Sequence, residues 1–290
     1  MSNYVITCCS TSDMPASFYS ERHIPFVSFH YTIDGKLYHD DMGKTMSFKE
    51  FYDTMRTGVQ PTTSQVNVDE YMEFFEPFLK NGQDVLHVCL SSGISGAYNA
   101  ACVAREQLAA QYPDRKIAIV DSLGASSGYG LLMDMLADVR DGGASFEEAV
   151  AWAEENKLTI HHWFYSSDLT FYIKGGRISK AAGMLGTLLG ICPLLNMNSE
   201  GKLIPREKVQ GRKKSLKVLA EKVASLAEPQ EGQTLFIGHG DCQEDAEYTL
   251  ECIRALGFQP KEVLICAIGA IIGAHSGPGT LAVFFLAKER

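Results

Sequence analysis

The sequence predicts an α/β protein of two domains, a parallel-sheet α/β sandwich over residues 1–157 and an α+β domain over residues 158–290. Three observations carry this expectation. Apolar strand-like runs alternate with amphipathic helix-like stretches through the first half, the order that builds a parallel sheet covered on both faces. Beyond Asp141-Gly142-Gly143 and one further helical stretch, the pattern changes to mixed aromatic and polar residues, a hairpin and helices between short strands. The length of 290 residues, at roughly 150 per domain, also corresponds to about two domains.

Residues 4–7 form a short β-leaning run closed by Ser10-Thr11-Ser12-Asp13, and residues 24–33 are β-branched and aromatic up to the turn at Asp34-Gly35. Ser47 caps an amphipathic stretch through residue 57 that puts Phe48, Phe51, Tyr52 and Met55 on one face. Residues 68–79 repeat that period. Residues 85–90 read as a continuous apolar strand, 97–110 as an Ala-rich helix, 117–120 as a buried strand and 129–139 as a helix. Phe146–Asn156 is the last helix of the first domain. In the second, Asn198 to Gly201 turns a hairpin between residues 194–197 and 202–209. Helices at 212–227 and 246–256 then alternate with strands at 234–238, 263–266 and 280–286.

Composition narrows the function classes. The chain is 46% hydrophobic and 21% charged, with a mean hydropathy of -0.05, which sets aside disorder, collagen and coiled coil. Lys+Arg 26 against Asp+Glu 35 leaves a net charge of -9, so no chain-wide attraction to nucleic acid is expected. The longest uncharged apolar run, residues 181–195, is shorter than the ~18–20 residues that span a bilayer. The N-terminus lacks the basic and apolar regions of a secretory signal, so a cytoplasmic location is expected. The eight cysteines (8, 9, 89, 102, 192, 242, 252 and 266) contain no C-x-x-C, which reads as buried free thiols with no metal site.

Several segments carry possible chemistry. The strand at 85–90 runs into Ser91-Ser92-Gly93-Ile94-Ser95-Gly96 and then a helix. Such a turn aims free backbone N–H groups at one spot, at the carboxyl end of a parallel strand; plain capping uses the same residues. Pro61-Thr62-Thr63-Ser64-Gln65 is a second hydroxyl cluster ahead of a helix. Gly124-Ala125-Ser126-Ser127-Gly128 matches G-x-S-x-G, and Asp241 with His275 would complete a hydrolase triad around Ser126. Against that, three residues separate strand from motif and no oxyanion segment of the HGGG type exists. No phosphate-binding loop is complete. Arg177 follows two glycines, and His275 closes an apolar run at 264–274. Arg212-Lys213-Lys214 opposes the dipole of its own helix, at ~0.3–1 kcal/mol per charge, which invites an anionic partner or neutralisation by Glu207.

Pro61-Thr62-Thr63-Ser64-Gln65, Leu90-Ser91-Ser92-Gly93-Ile94-Ser95-Gly96, Lys174-Gly175-Gly176-Arg177-Ile178 and Gly273-Ala274-His275-Ser276-Gly277-Pro278-Gly279-Thr280 together resemble the DegV family, in order and spacing over essentially the whole chain. The resemblance implies an α/β and an α+β domain with a ligand site between them. It implies binding of a long-chain fatty acid in an apolar tunnel, and presentation of its carboxylate to an ATP-dependent fatty-acid kinase A subunit that makes acyl phosphate. The chain would be the lipid-carrying subunit, without a complete active site, cofactor or metal. Burying the ~14 methylenes of a C16-type chain at ~0.8 kcal/mol each gives a gross drive of ~11 kcal/mol, with residues 181–195 and 264–274 as candidate walls. A buried carboxylate must be hydrogen-bonded or paired. Carried over residue by residue, Thr62 and Ser95 are the first choices for that contact, with Ser64, Ser92, Gly96 and His275 beside them and Arg177 and Arg212 facing the kinase or the phosphate. Two positions depart from the family pattern: Cys9 stands where an acidic residue usually precedes Ser-Thr, and Gln210 where Arg is frequent. The rival expectations are a serine hydrolase using Ser126 and a sensor of another small anion in the same loops.

Overall fold

A computed structural model describes residues 4–179 and 191–290. The first-half strands β1 (Tyr4–Cys9), β2 (Phe26–Val27), β6 (Asp84–Cys89) and β7 (Ile117–Asp121) form one all-parallel sheet in the order β2-β1-β6-β7. Helices α2 (Phe48–Arg56), α3 (Val68–Lys80) and α4 (Ala97–Gln111) share the core cluster on one face of this sheet. On the other side α1 (Ala16–Glu21), α5 (Ser126–Asp141) and α6 (Phe146–Asn156) pack with Ile6, Leu86 and Val88. Strands buried on both faces are what the continuous apolar run at 85–90 requires.

A small antiparallel sheet, β4 (Lys36–His39), β3 (His30–Ile33) and β5 (Thr62–Ser64), stands apart. It corrects two sequence expectations. The run at 24–33 is two strands, because Val27 pairs with Cys9 in the parallel sheet whereas His30 leaves to pair with His39 and Ser64. The Thr/Ser cluster at 62–64 is itself a strand rather than only a loop before α3, whose N-cap is Asn67 in a capping box with Glu70.

The second half is a mixed sheet in the order β10-β9-β8-β13-β11-β12, comprising β8 (Ile160–Tyr165), β9 (Ile191–Met197), β10 (Leu203–Gln210), β11 (Thr234–His239), β12 (Glu262–Ala267) and β13 (Leu281–Leu286). Only β11 and β12 of this sheet run parallel. Helices α8 (Arg212–Leu226) and α9 (Gln243–Ala255) cover its outer face with Leu216, Leu219, Leu250 and Ile253. Two short helices, α7 (Thr170–Lys174) and α10 (Ala270–Ser276), complete the half. The proposed division at residue 157 falls between the last strand of the parallel sheet and the first of the mixed one, but the core crosses it. Helix α5 packs between the sheets, and Leu131, Leu132 and Leu136 share one cluster with Phe164, Phe236 and Phe284. Two glycines permit the close fit: a Cβ on Gly128 would come within 2.4 Å of the His162 and Phe284 side chains, and one on Gly130 within 2.7 Å of Ser12 O. Among the described residues no helix is long and apolar enough to cross a membrane.

Candidate functional site

The loops that leave β6 and β7 at their carboxyl ends, strand β5, the inner face of the mixed sheet and helices α7 and α10 converge on one cavity of about 370 Å³, a size within the range of small-molecule sites. Leu90, Phe164, Met197, Ile268, Ile271 and Phe284 give it a largely apolar wall. Ile268 and Ile271 come from the run at 264–274, which folds as a strand followed by a helix. The other candidate wall, residues 181–195, lies outside the described residues up to position 190; beyond that, β9 is mostly buried.

Polar groups gather on one part of the wall. Thr63 Oγ1 and His275 Nε2 are 2.7 Å apart. The other ring nitrogen, Nδ1, is buried without a partner among the described residues. Arg177 donates from Nε to Ile94 O (3.2 Å) and from Nη1 to Gly175 O (2.5 Å), which fixes the guanidinium against the loop that follows β6. Burial pulls the His275 imidazole down to about 4, and the Arg177 charge pushes in the same direction, so at neutral pH it is an uncharged donor and acceptor. Burial also lowers the Arg177 pKa. A fixed cation, a neutral imidazole and hydroxyls are groups that can donate charge-assisted and neutral hydrogen bonds to an anion.

The residues singled out from sequence are distributed as follows. Ser64, Ser95, Arg177 and His275 line the cavity. Thr62 is exposed and not among the lining residues; its neighbour Thr63 is. Ser92 and Gly96 are exposed and also outside the lining. Ser92 presents its backbone N–H to Asp121 Oδ1 at 3.1 Å, and Gly96 stands where a Cβ would come 2.8 Å from the Gln65 amide oxygen. Arg212 is elsewhere, in an open recess with Arg56 and Asp241. Its guanidinium is paired with Asp245 at 2.5 Å, which answers the charge opposed to the helix dipole, whereas Glu207 pairs with Lys222.

The loop after β6 has a second role that its serines and glycine alone did not reveal. Ser91 Oγ donates to Gly201 O at 2.8 Å, and a Cβ on Gly93 would stand 2.6 Å from the carbonyl oxygens of Glu200 and Gly201. The loop therefore docks against the β9–β10 hairpin, and Ser95 donates its N–H to Ser91 O at 3.1 Å within the same loop.

Ser126 lines the cavity with φ 55°. Its Oγ donates to Asp13 Oδ2 at 2.5 Å, and burial pushes the Asp13 carboxyl well above the usual range despite that bond. The nominated partners do not meet it: His275 is bonded to Thr63, and Asp241 is paired with Arg56. His162, the other imidazole lining the cavity, accepts the Ala125 N–H at Nε2 (3.2 Å) and faces Ile160 O with Nδ1 (3.0 Å). The Ser–imidazole hydrogen bond of acyl transfer is not among these contacts.

Comparison with known proteins agrees with this architecture. The family model described as "Uncharacterised protein, DegV family" matches residues 4–288. A DegV domain-containing protein of Clostridium perfringens is 42% identical over 291 residues, covering 100% of this chain and 99% of that one. The solved structure of a Thermus thermophilus DegV family protein, described by its fatty acid binding, superposes with a TM-score of 0.88 at 26% identity, covering 98% of this chain and 99% of that one. A Thermotoga maritima protein whose structure is described as revealing fatty acid binding function gives 0.84 at 28% identity, covering 99% and 100%. By its motifs, its fold and a match over nearly its whole length, the chain belongs to the DegV family.

Proposed function

We propose that the protein binds a long-chain fatty acid in the cavity and presents its carboxylate to an ATP-dependent kinase subunit. The observation that carries the reading is a largely apolar cavity whose polar groups, Thr63, Ser95, His275 and Arg177, gather on one part of its wall. An acyl chain gains ~0.8 kcal/mol per buried methylene, while its carboxylate must be met by donors. Ser95 supplies one, and the Thr63–His275 pair supplies one more, from Thr63 Oγ1 or from His275 Nδ1 according to which of the two gives its hydrogen to their mutual bond; Ser64 stands beside them, and Thr62 sits at the solvent edge of the same strand. The fatty-acid-binding relatives from Thermus thermophilus and Thermotoga maritima support the ligand class. The kinase partnership rests on the motif resemblance, with Arg177 facing the kinase or the phosphoryl group as it is transferred to the carboxylate. Arg212, paired with Asp245 in the outer recess, fits a docking contact rather than a role at the head group.

The experiment is denaturing extraction of the purified protein with mass spectrometry of the lipid fraction, followed by uptake of added palmitate. A near-stoichiometric C14–C18 fatty acid is expected in the wild type, with a loss of tenfold or more in affinity for the Thr63→Val, Ser95→Ala double variant and a smaller loss for Thr62→Ala. An empty protein that also refuses palmitate overturns the reading. With ligand bound, acyl phosphate should form only when the kinase subunit and ATP are both added, and Arg177→Lys should slow that step more than it weakens binding.

A further inference from the structure

The parallel pairing of β1 and β6 sets Thr7 opposite His87 and Cys8 opposite Val88, so one step further Cys9 stands beside Cys89. Strand side chains alternate, so Thr7, Cys9, His87 and Cys89 project from the same face. There they are fully buried under Tyr71 and Phe75 of α3. The donor atoms Cys9 Sγ, His87 Nε2 and Cys89 Sγ all lie within 4.8 Å of one another, and Cys9 Sγ is 3.6 Å from His87 Nε2. Zinc bonds of ~2.3 Å to sulfur and ~2.05 Å to nitrogen at the tetrahedral angle place the two donors about 3.5 Å apart. The spacing is therefore already that of a coordinated pair.

The surroundings complete the requirement. His87 Nδ1 lies 2.9 Å from Thr7 Oγ1; with the proton on Nδ1 donated to that hydroxyl, Nε2 keeps the lone pair a metal needs, the arrangement that orients ligating imidazoles. The Tyr71 hydroxyl is 3.3 Å from Cys9 Sγ and 3.9 Å from Cys89 Sγ, facing the fourth corner. Two thiolates and a neutral imidazole cancel the charge of a divalent cation, so the complex is neutral in its apolar pocket. Sulfur and imidazole donors select zinc over magnesium or calcium.

We propose that Cys9, His87 and Cys89, with Tyr71 at the fourth corner, form a structural zinc site that ties the carboxyl ends of β1 and β6 together. The site bears on the cavity because those strands run directly into the Ser10–Ser12 turn and the loop carrying Ser91 to Ser95. Binding replaces the two thiol protons, which are released to solvent. The absence of C-x-x-C made a metal site unexpected from sequence. The signal that could have found it is His87-Val88-Cys89 on a strand, since residues two apart share a face.

Because the cluster is closed, the test loads it during folding. The full chain is unfolded with reductant and chelator, refolded with or without one equivalent of Zn²⁺, desalted, and assayed for zinc by plasma mass spectrometry and for Tm. One zinc per chain and a Tm rise of about 5–10 °C at saturating zinc are expected. Refolding with Co²⁺ should give the thiolate-to-metal absorption of a tetrahedral sulfur site. Uptake should be abolished in Cys9→Ser, Cys89→Ser and retained in Cys102→Ser and Cys252→Ser, whose thiols lie outside the cluster. Wild-type protein that refolds without taking up zinc overturns the proposal, so the outcome does not hang on the folding of any variant. Zinc retained in the double variant overturns it as well, and exclusive uptake of Cu⁺ overturns the zinc assignment. Lipid content measured on the same samples is a separate readout.

Discussion

Thr63 Oγ1 and His275 Nε2 stand 2.7 Å apart across 212 residues of sequence. That contact joins the small antiparallel sheet to helix α10 and commits one nitrogen of the imidazole, leaving Nδ1 buried and without a partner among the described residues. A neutral histidine holds one proton, so the Thr63 bond decides which nitrogen can offer it to a ligand. The geometry gives the threonine a positioning role even before it touches any ligand.

His275 should titrate near 4 in the unloaded protein, against 6.5 for an exposed histidine. Burial disfavours the imidazolium and Arg177 repels it. The unfolded chain therefore takes up this proton first as pH falls. The stability contribution is complete above about 6.5 and is lost progressively as pH drops through 4. NMR of the ring carbons across pH 3.5–8 reads the value directly. Loading a fatty acid should raise it, because a carboxylate beside the ring stabilises the charged form; an unchanged value in the loaded protein would place the carboxylate elsewhere.

Gly175→Ala should cost ligand affinity while leaving the fold intact. A Cβ there would lie 2.2 Å from His275 Nδ1, so the imidazole must shift and give up its aligned bond to Thr63. The backbone at Gly175 is right-handed helical, so alanine meets no conformational penalty of its own. A tenfold or greater loss of fatty-acid binding with near-normal circular dichroism is expected. Wild-type affinity in this variant would show that Nδ1 makes no contact with the ligand.

How much of this could be read beforehand depended on distance along the chain. Helices α2 and α6 and the strands of the parallel sheet announce themselves through local period and capping, and the motif set located four cavity residues: Ser64, Ser95, Arg177 and His275. Which hydroxyl of the Pro61 to Gln65 cluster lines the cavity was not legible, because that depends on β5 pairing with β3 thirty residues earlier. Cys9 and Cys89 looked like unrelated buried thiols because their adjacency is a matter of register between β1 and β6. The Arg212 charge likewise found its partner, Asp245, on a helix 33 residues away.

Asp13→Asn should stabilise the protein increasingly as pH rises. Burial holds the folded-state carboxyl well above 3.8, with the Asp40 charge adding to the shift and the Ser126 bond only partly opposing it. A raised folded pKa means the group favours folding below 3.8 and that this contribution is lost as pH climbs through the folded value. Asparagine has no such charge to desolvate, and the Ser126 hydroxyl can accept from its amide instead. The difference in Tm between variant and wild type, measured from pH 4 to pH 8, should grow with pH. A difference independent of pH would mean that Asp13 does not titrate abnormally.

Gly93→Ala should loosen the joint between the two halves of the molecule. Its Cβ would press within 2.6 Å of the backbone oxygens of Glu200 and Gly201, and backbone cannot rotate aside as a side chain would. Overpacking of this kind costs about 1–3 kcal/mol. Ser91→Ala removes the hydroxyl that donates to Gly201 O and accepts the Gly93 N–H, hydrogen bonds worth about 1 kcal/mol net each, without adding any atom that must be accommodated. Both should lower Tm, and hydrogen exchange should rise at the β9–β10 turn and around Ser95 together, since Ser91 bonds Gly201 O with its hydroxyl and the Ser95 N–H with its carbonyl. If exchange rises at the hairpin while Ser95 stays protected, the loop after β6 is fixed by its own turn and not by the docking of the second half against it.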